Sequence, residues 1–360
     1  MAAGSIWLPK GGRMKKLFAL VLVVAFGLVT IGQDIPKIGL ILATGGLGDR
    51  SFNDQSYWGA ERAAQELAAR YGVSVEEVFT YVEPRSIADY EAFQREFARS
   101  GEYTIIVCIG FDQAPVLAEV APDYPDQKFV VIDAVAAADN VASIVFNDWE
   151  EAFLCGVVAG MMTKTGMVGV EGGMDIPLIH RFVEGFRQGA MWANPDISAD
   201  DVLVRYVGAW NNPTLGKELA LEMYQAGADI IYGAAGKSHL GVFAAAEENP
   251  DWWAIGTDVD QAWSAPEHAD VIIASGLKRV DLAVYTEIMK AVEGTWGPGV
   301  ISYGMVSDTG IGTGIAVGKQ DIGDYISASY SEVEIPGEVM WKVVQAVFGI
   351  LDGSIVIEHE

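Results

Sequence analysis

The chain has 360 residues, 51% of them hydrophobic and 20% charged, a composition that excludes a disordered protein and leaves room for two domains with separate cores. Its 49 acids against 23 bases give a net charge of -26 without a poly-acidic tail, a field that repels nucleic acid and anionic membrane surfaces. The two cysteines make no disulfide framework. Cys108 and Cys155 each lie inside an apolar run, where a buried core thiol is expected.

Met14-Lys15-Lys16, the wholly apolar run 17–29 and Thr30-Ile31-Gly32-Gln33 form the basic head, short apolar centre and small-residue end of a secretory signal peptide. The run is near the lower limit for a membrane span. The expectation is an exported, soluble protein on the outer face of the cell membrane or in the periplasm, beginning near Gln33, with Met14 as the start. No cysteine follows the apolar run, so attachment through a lipid-modified cysteine is not expected.

From Lys37 onward short apolar runs alternate with helical patterns, the mark of parallel sheets with crossover helices. Strands are predicted at 37–42, 77–81, 104–109, 128–132 and 142–146, with helices at 55–70, 86–100 and 113–121. A second series follows: helix 150–163, strand 167–172, helix 180–191, strand 201–207, helix 212–224, strand 230–232, helix 240–248 and strand 253–257. Strand 271–275, helix 277–292 and a C-terminal helix at 336–351 complete the reading. The fold class is α/β, with two doubly wound parallel-sheet lobes. Lobe 1 is assigned 34–147 plus about 271–300, and lobe 2 148–270 plus about 301–360. No Pro/Ser-rich linker separates them, which fits a hinge of several strands.

The organising stretch is 38–54, IGLILATGGLGDRSFND. A doubly buried strand runs into a glycine turn and then a helix start, so its polar groups fall at the carboxyl edge of a parallel sheet, where open α/β folds bind ligands. Phe52 stands there beside Asn53 and Asp49, a combination better suited to a flat polar heterocycle than to a bare phosphate. Other strand ends carry Asp112 after Gly110-Phe111, Trp210 after Gly208-Ala209, Gly236 in Ala234-Ala235-Gly236-Lys237, Asp258 in Gly256-Thr257-Asp258-Val259-Asp260-Gln261, and Lys278 after Ser275-Gly276. Glycine lets backbone approach a ligand, aromatics offer stacking area, and Asp or Lys fixes hydroxyls and ring nitrogens. Each residue also has a plainer reading. Phe52 and Trp210 would then be core, Asp49 and Asp112 helix caps, one of Asp258 and Asp260 a turn residue, and Lys278 a solvated lysine at a helix start.

Signals for catalysis are weak. His180, His239, His268 and His359 are not spaced as metal pairs, and neither a G-x-S-x-G elbow nor a P-loop occurs. The turn 44–48 resembles the glycine turn of short-chain dehydrogenases, but the nearest Tyr–Lys pair, Tyr285 and Lys290, has one residue too many between its members. A nucleoside hydrolase would need an Asp-rich calcium site near the first strand, where only Asp49 and Asp54 stand.

The segments GGLGDRSFND (45–54), NVASIVFNDWEEAFLCGVVAG (140–160), VGVEGGMDIPLIHRFVEGFRQGA (168–190), NPTLGKELALEMYQAGADIIYGAAG (212–236), IGTDVDQ (255–261) and SGLKRVDLAVYTEIMKAV (275–292) resemble, in order, the basic membrane protein family. These are purine-nucleoside receptor lipoproteins that serve as solute-binding components of ABC transporters. The resemblance implies a type I periplasmic-binding-protein fold closing over a nucleoside, with no cofactor, no catalysis and a membrane permease as partner. It implies base contacts from Phe52 and Asn53, a second stacking ring from Trp210, and ribose contacts from Gly236, Asp258 and Lys278; Asp49 and Asp112 are further candidates. Asn53 and Asp112 would meet the base edge. The chain departs from the family pattern at Ala43, where many members carry an acid, at Lys237-Ser238-His239 in the glycine-rich turn, and in lacking the lipid-attachment cysteine. A sensory binding protein of the same fold, or a binder of another flat heterocycle such as riboflavin, would use the same sandwich.

Overall fold

The computed structural model describes residues 34–305 and 311–359; the expected signal segment lies outside them. The first lobe begins with β1 (Ile38–Ile41), α1 (Phe52–Tyr71), α2 (Val75–Val78), β2 (Phe79–Val82), α3 (Tyr90–Ser100) and β3 (Ile105–Ile109). It continues with α4 (Ala114–Val120), β4 (Phe129–Ile132) and β5 (Val141–Phe146). The second lobe takes α5 (Asp148–Met162), β6 (Val168–Gly172), α6 (Pro177–Ala193), β7 (Val202–Tyr206) and α7 (Pro213–Gln225). After these come β8 (Ile230–Ala234), α8 (Leu240–Ala246), β9 (Trp253–Gly256), α9 (Gln261–Ser264) and β10 (Ile272–Lys278). The chain then returns to the first lobe for α10 (Val280–Glu293) and β11 (Gly299–Tyr303). It ends in the second with β12 (Thr313–Val317), β13 (Ile326–Ser327) and α11 (Gly337–Leu351).

The sheets are ordered β11-β5-β4-β3-β1-β2 and β13-β12-β10-β9-β8-β6-β7. All pairs in the first are parallel. In the second only β10 and β12 run antiparallel. Helices cover both faces, so β1, β3 and β4 are buried at every residue, as their unbroken apolar sequences demand. Separate apolar clusters fill the two lobes; that of the second is built around α5, α6 and α11, and α10 packs in the first beside α1. Cys108 and Cys155 are free and buried, in different clusters.

Two assignments from the sequence need correction. The stretch 271–300 was expected in the first lobe, yet Ile272–Lys278 is hydrogen-bonded between β9 and β12 in the second sheet. Only from α10 does that stretch belong to the first lobe, and β11, partly assigned to the second lobe, pairs with β5. The strand also runs three residues past its predicted end, through Ser275-Gly276. Gly276 is no turn here. A Cβ on it would lie 2.8 Å from Glu151 Oε2 and 3.2 Å from Cys155 Sγ, so the missing side chain admits α5 against the strand. The chain passes between sheets at Asn147, at Arg279 and between Tyr303 and Thr313.

Candidate functional site

Between the lobes, at the carboxyl ends of both sheets, lies a cavity lined by both. Asp49, Phe52, Asn53, Asp112, Trp210, Gly236, Asp258 and Lys278 all line it.

The first wall is the turn between β1 and α1. Asp49 is buried and caps the helix start: its carboxylate accepts the backbone N–H groups of Ser51 (2.9 Å), Asn53 (2.7 Å) and Asp54 (3.1 Å), and the Asn53 side-chain amide (3.1 Å). Burial pushes its pKa up to about 6, against the pull of those backbone donors. Asn53 Oδ1 accepts the Ala43 N–H at 2.9 Å. The capping reading of Asp49 therefore holds alongside its place on the cavity wall, and Asn53 keeps one amide hydrogen for a ligand. Nearby, Asp112 accepts the Tyr90 hydroxyl at 3.0 Å while its Oδ1 has no partner among the described residues, and burial raises its pKa.

The opposite wall comes from the second lobe. Trp210 is seated by two glycines. A Cβ on Gly173 would come within 2.2 Å of the indole, and one on Gly236, which has φ +54, within 3.2 Å of the Trp210 carbonyl oxygen. Its nearest ring is Phe111 of the first lobe, at a centroid distance of 6.3 Å and an interplanar angle of 64°. Phe52 and Trp210 thus face one cavity from different lobes. The walls are tied together beside it. Arg50 Nη1 donates to the Ser264 carbonyl (2.7 Å), the Arg50 carbonyl accepts from Ser264 Oγ (2.7 Å) and Gln261 Nε2 (3.0 Å), and Gln55 Nε2 donates to the Asp258 carbonyl (3.1 Å).

The floor is ionic. Lys278, 2% exposed, ends β10; the reading as a solvated helix-start lysine fails because the helix begins only at Val280. Its Nζ lies 2.6 Å from Asp133 Oδ2 and 3.0 Å from Asp148 Oδ1. It also sits over the rings of Phe52 (5.3 Å), Phe146 (5.3 Å) and Phe182 (5.5 Å). Burial alone would lower its pKa; Asp133, Asp148, Asp258 and Glu151 outweigh that and hold it above the ordinary lysine value. Asp258 accepts the Ser51 hydroxyl from the other lobe, and burial pushes its pKa up to about 6. Glu151 is fully buried, with neither carboxyl oxygen partnered in the described residues, and burial raises its pKa well above the carboxylate range. Asp260 is the structural member of its motif: it accepts from the Ala262 and Tyr330 N–H groups and the Ser329 hydroxyl.

Further lining residues lay outside the expected set. Phe111 stood beside the chosen Asp112. Leu178, Ile179 and Phe182 come from the first turns of α6. Asp133 follows β4 without any adjoining glycine, and Lys237 belongs to the turn already noted as bulky. Glycine next to a polar residue was the signal used, and Asp133 does not carry it.

The family model for Bmp, described as ABC transporter substrate-binding protein PnrA-like, matches residues 35–333. An uncharacterized lipoprotein of Pyrococcus abyssi is 38% identical over 77% of this chain and 68% of its own length. The ABC transporter nucleoside-binding protein BmpA of Lactococcus lactis subsp. cremoris is 28% identical over 84% of this chain and 88% of its own. Among solved structures, an ABC transporter solute-binding protein from Aeropyrum pernix K1 superposes with a TM-score of 0.76 at 33% identity, covering 90% of this chain and 94% of that one. The lipoprotein name of the Pyrococcus relative runs against the expectation of export without a lipid anchor. The chain belongs to the Bmp family of PnrA-like ABC transporter substrate-binding proteins.

Proposed function

We propose that this protein binds a purine nucleoside in the inter-lobe cavity and presents it to the membrane permease of an ABC importer. One observation carries the reading: rings from opposite lobes, Phe52 and Trp210, line the same cavity as a buried ammonium and carboxylates on its floor. A nucleoside has that division, a flat heterocycle joined to a hydroxylated sugar. Stacking on each ring contributes about 0.5–1.5 kcal/mol beyond the area buried. Asp258 and Lys278 receive the sugar hydroxyls, Gly236 lets backbone approach them, and Asn53 and Asp112 meet the base edge. Asp49 acts by holding the turn that carries Phe52 and Asn53. The nucleoside-binding name of the Lactococcus relative supports the same ligand class. Closure of the lobes excludes water and gives the permease a shape to recognise, which couples binding to transport.

The reading is tested by mass spectrometry of small molecules released on denaturing the purified protein, followed by binding measurements with purine nucleosides, pyrimidine nucleosides and riboflavin. A purine nucleoside as the tightest ligand is expected. Riboflavin bound more tightly than every nucleoside would overturn it.

A further inference from the structure

The lobes meet at two kinds of place. One is the cavity wall, where the Ser51 hydroxyl of the first lobe donates to the Asp258 carboxylate of the second. The other lies outside the cavity and joins Arg50 and Trp58 of the first lobe to Gln261, Trp263, Ser264 and Glu267 of the second. None of these six residues lines the cavity.

Arg50 makes most of this junction. Its carbonyl oxygen accepts Ser264 Oγ at 2.7 Å and Gln261 Nε2 at 3.0 Å, while its Nη1 donates to the Ser264 carbonyl at 2.7 Å. One arginine thus engages one serine in both directions. Its Nη2 stands 3.8 Å from Glu267. The backbone at Arg50 has φ 59, a conformation uncommon outside glycine that persists only where its surroundings fix it. One residue before Ser264, Trp263 meets Trp58 of α1 edge to face, with centroids 5.3 Å apart and planes at 75°. Trp263 is 48% exposed, so this ring is spent on the facing lobe and not on a core.

Each half of the junction is held by its own lobe. In the first, the Asp54 carboxylate accepts the N–H groups of Gly48 (2.7 Å) and Arg50 (3.0 Å). In the second, Gln261 donates its backbone N–H to Ser275 Oγ (3.0 Å) and an amide hydrogen to the Thr257 carbonyl (2.9 Å). Surfaces formed in advance lose little freedom on docking. Contacts that exist only when the lobes are closed, and that touch no cavity atom, raise the affinity of every ligand by one common factor.

We propose that Arg50 and the Trp58–Trp263 pair form a latch outside the cavity that stabilises the closed form with or without ligand. The cavity selects what binds; the latch sets how tightly and how long it is held. This rests on the reading above that the lobes close over a ligand, but not on which ligand that is.

The experiment compares the wild type with Trp263→Ala, Trp263→Phe and the double variant Arg50→Gly/Trp263→Ala; glycine keeps the left-handed backbone while removing the guanidinium. Calorimetry with inosine and adenosine should show both affinities falling by the same factor, about 3-fold in Trp263→Ala and about 10-fold in the double variant. The ratio between the two nucleosides should hold to within about twofold, since the latch touches neither. Trp263→Phe keeps a ring and should stay near the wild type. Stopped-flow measurements should place the loss in faster release. Small-angle X-ray scattering of the chain stripped of ligand should give a larger radius of gyration for the double variant than for the wild type. Unchanged affinity in the double variant, or equal radii, would overturn the latch. So would a loss that differs several-fold between the nucleosides, which would make Arg50 a support for Phe52 and Asn53 instead. Failure of the wild type to bind any nucleoside would remove the nucleoside reading, while the scattering comparison, which needs no ligand, would still decide the latch.

Discussion

Helix α5 serves two regions built on opposite principles. Along most of its length it packs backbone to backbone on α6. A Cβ on Gly156 would lie 2.0 Å from the Phe186 carbonyl oxygen, and one on Gly189 would lie 2.0 Å from that of Phe153. The seam is apolar, and a side chain added at either glycine must displace backbone. The first turn of the same helix carries Asp148, Glu150 and Glu151, all buried, under the cavity floor. A helix N-terminus favours acids, and Glu150 is fully engaged: it accepts the Met305 N–H (2.6 Å), the Thr313 hydroxyl (2.7 Å) and the Asn147 amide (2.8 Å), tying together two crossings between the lobes. Among the described residues Glu151 and the outer oxygen of Asp133 have no such partners. At the seam backbone contact leaves no room for an added atom; at the cavity wall Asp112 and Asp133 each keep an acceptor open among the described residues.

That contrast can be broken most forcefully at Lys278. Lys278→Met keeps the volume but leaves Asp133 and Asp148 facing each other without a counter-charge, and should cost about 3–5 kcal/mol of stability, the effect of orphaning a buried pair. Denaturant unfolding measures it; a loss below 1 kcal/mol would show that the floor is not held by its lysine. At the seam, Gly156→Ala should cost about 1–3 kcal/mol by overpacking while leaving ligand affinity within about twofold. At the walls the pattern reverses. Phe52→Ala and Trp210→Ala should each lower affinity about 10-fold or more, with smaller changes in thermal stability, because both rings are only half-buried.

The smallest expected effect is on pH. Burial raises Asp258 from 3.8 to about 6, so between those values the folded chain keeps a proton that the unfolded chain has released. Its contribution to stability therefore declines as pH rises through that window, and Asp49, also raised to about 6, acts in the same sense. Ligand binding should follow the opposite course. Hydroxyl donors need Asp258 ionised, so affinity should rise from pH 5 to pH 7 by about 3- to 10-fold and level above it. Calorimetry across that range would show it, and an affinity independent of pH would exclude Asp258 as an acceptor.

Much of this was legible in the sequence because parallel strands buried on both faces are written as unbroken apolar runs, as in Ile105–Ile109, and because polar residues after such runs must lie on one sheet edge. β11 was invisible for the converse reason: at the edge of its sheet, three of its five residues are exposed and its apolar pattern is diluted. β10 was cut short because Ser275-Gly276 reads as a turn until the acid and thiol of α5 are seen pressed against it. Asp133 escaped because it takes for itself the backbone conformation that a neighbouring glycine was expected to supply. Its role depends on a lysine 145 positions away, a juxtaposition that no local pattern records.

The central claim is that one cavity grips a ring and a sugar together. Calorimetric titration of the purified protein with inosine and with its free base, hypoxanthine, tests it most directly. The account predicts one nucleoside per chain, bound at least 10-fold more tightly than the base, since the base alone leaves Asp258 and Lys278 without their hydroxyl partners. Equal affinity for the two, or no binding of inosine or of any other purine nucleoside, would contradict it.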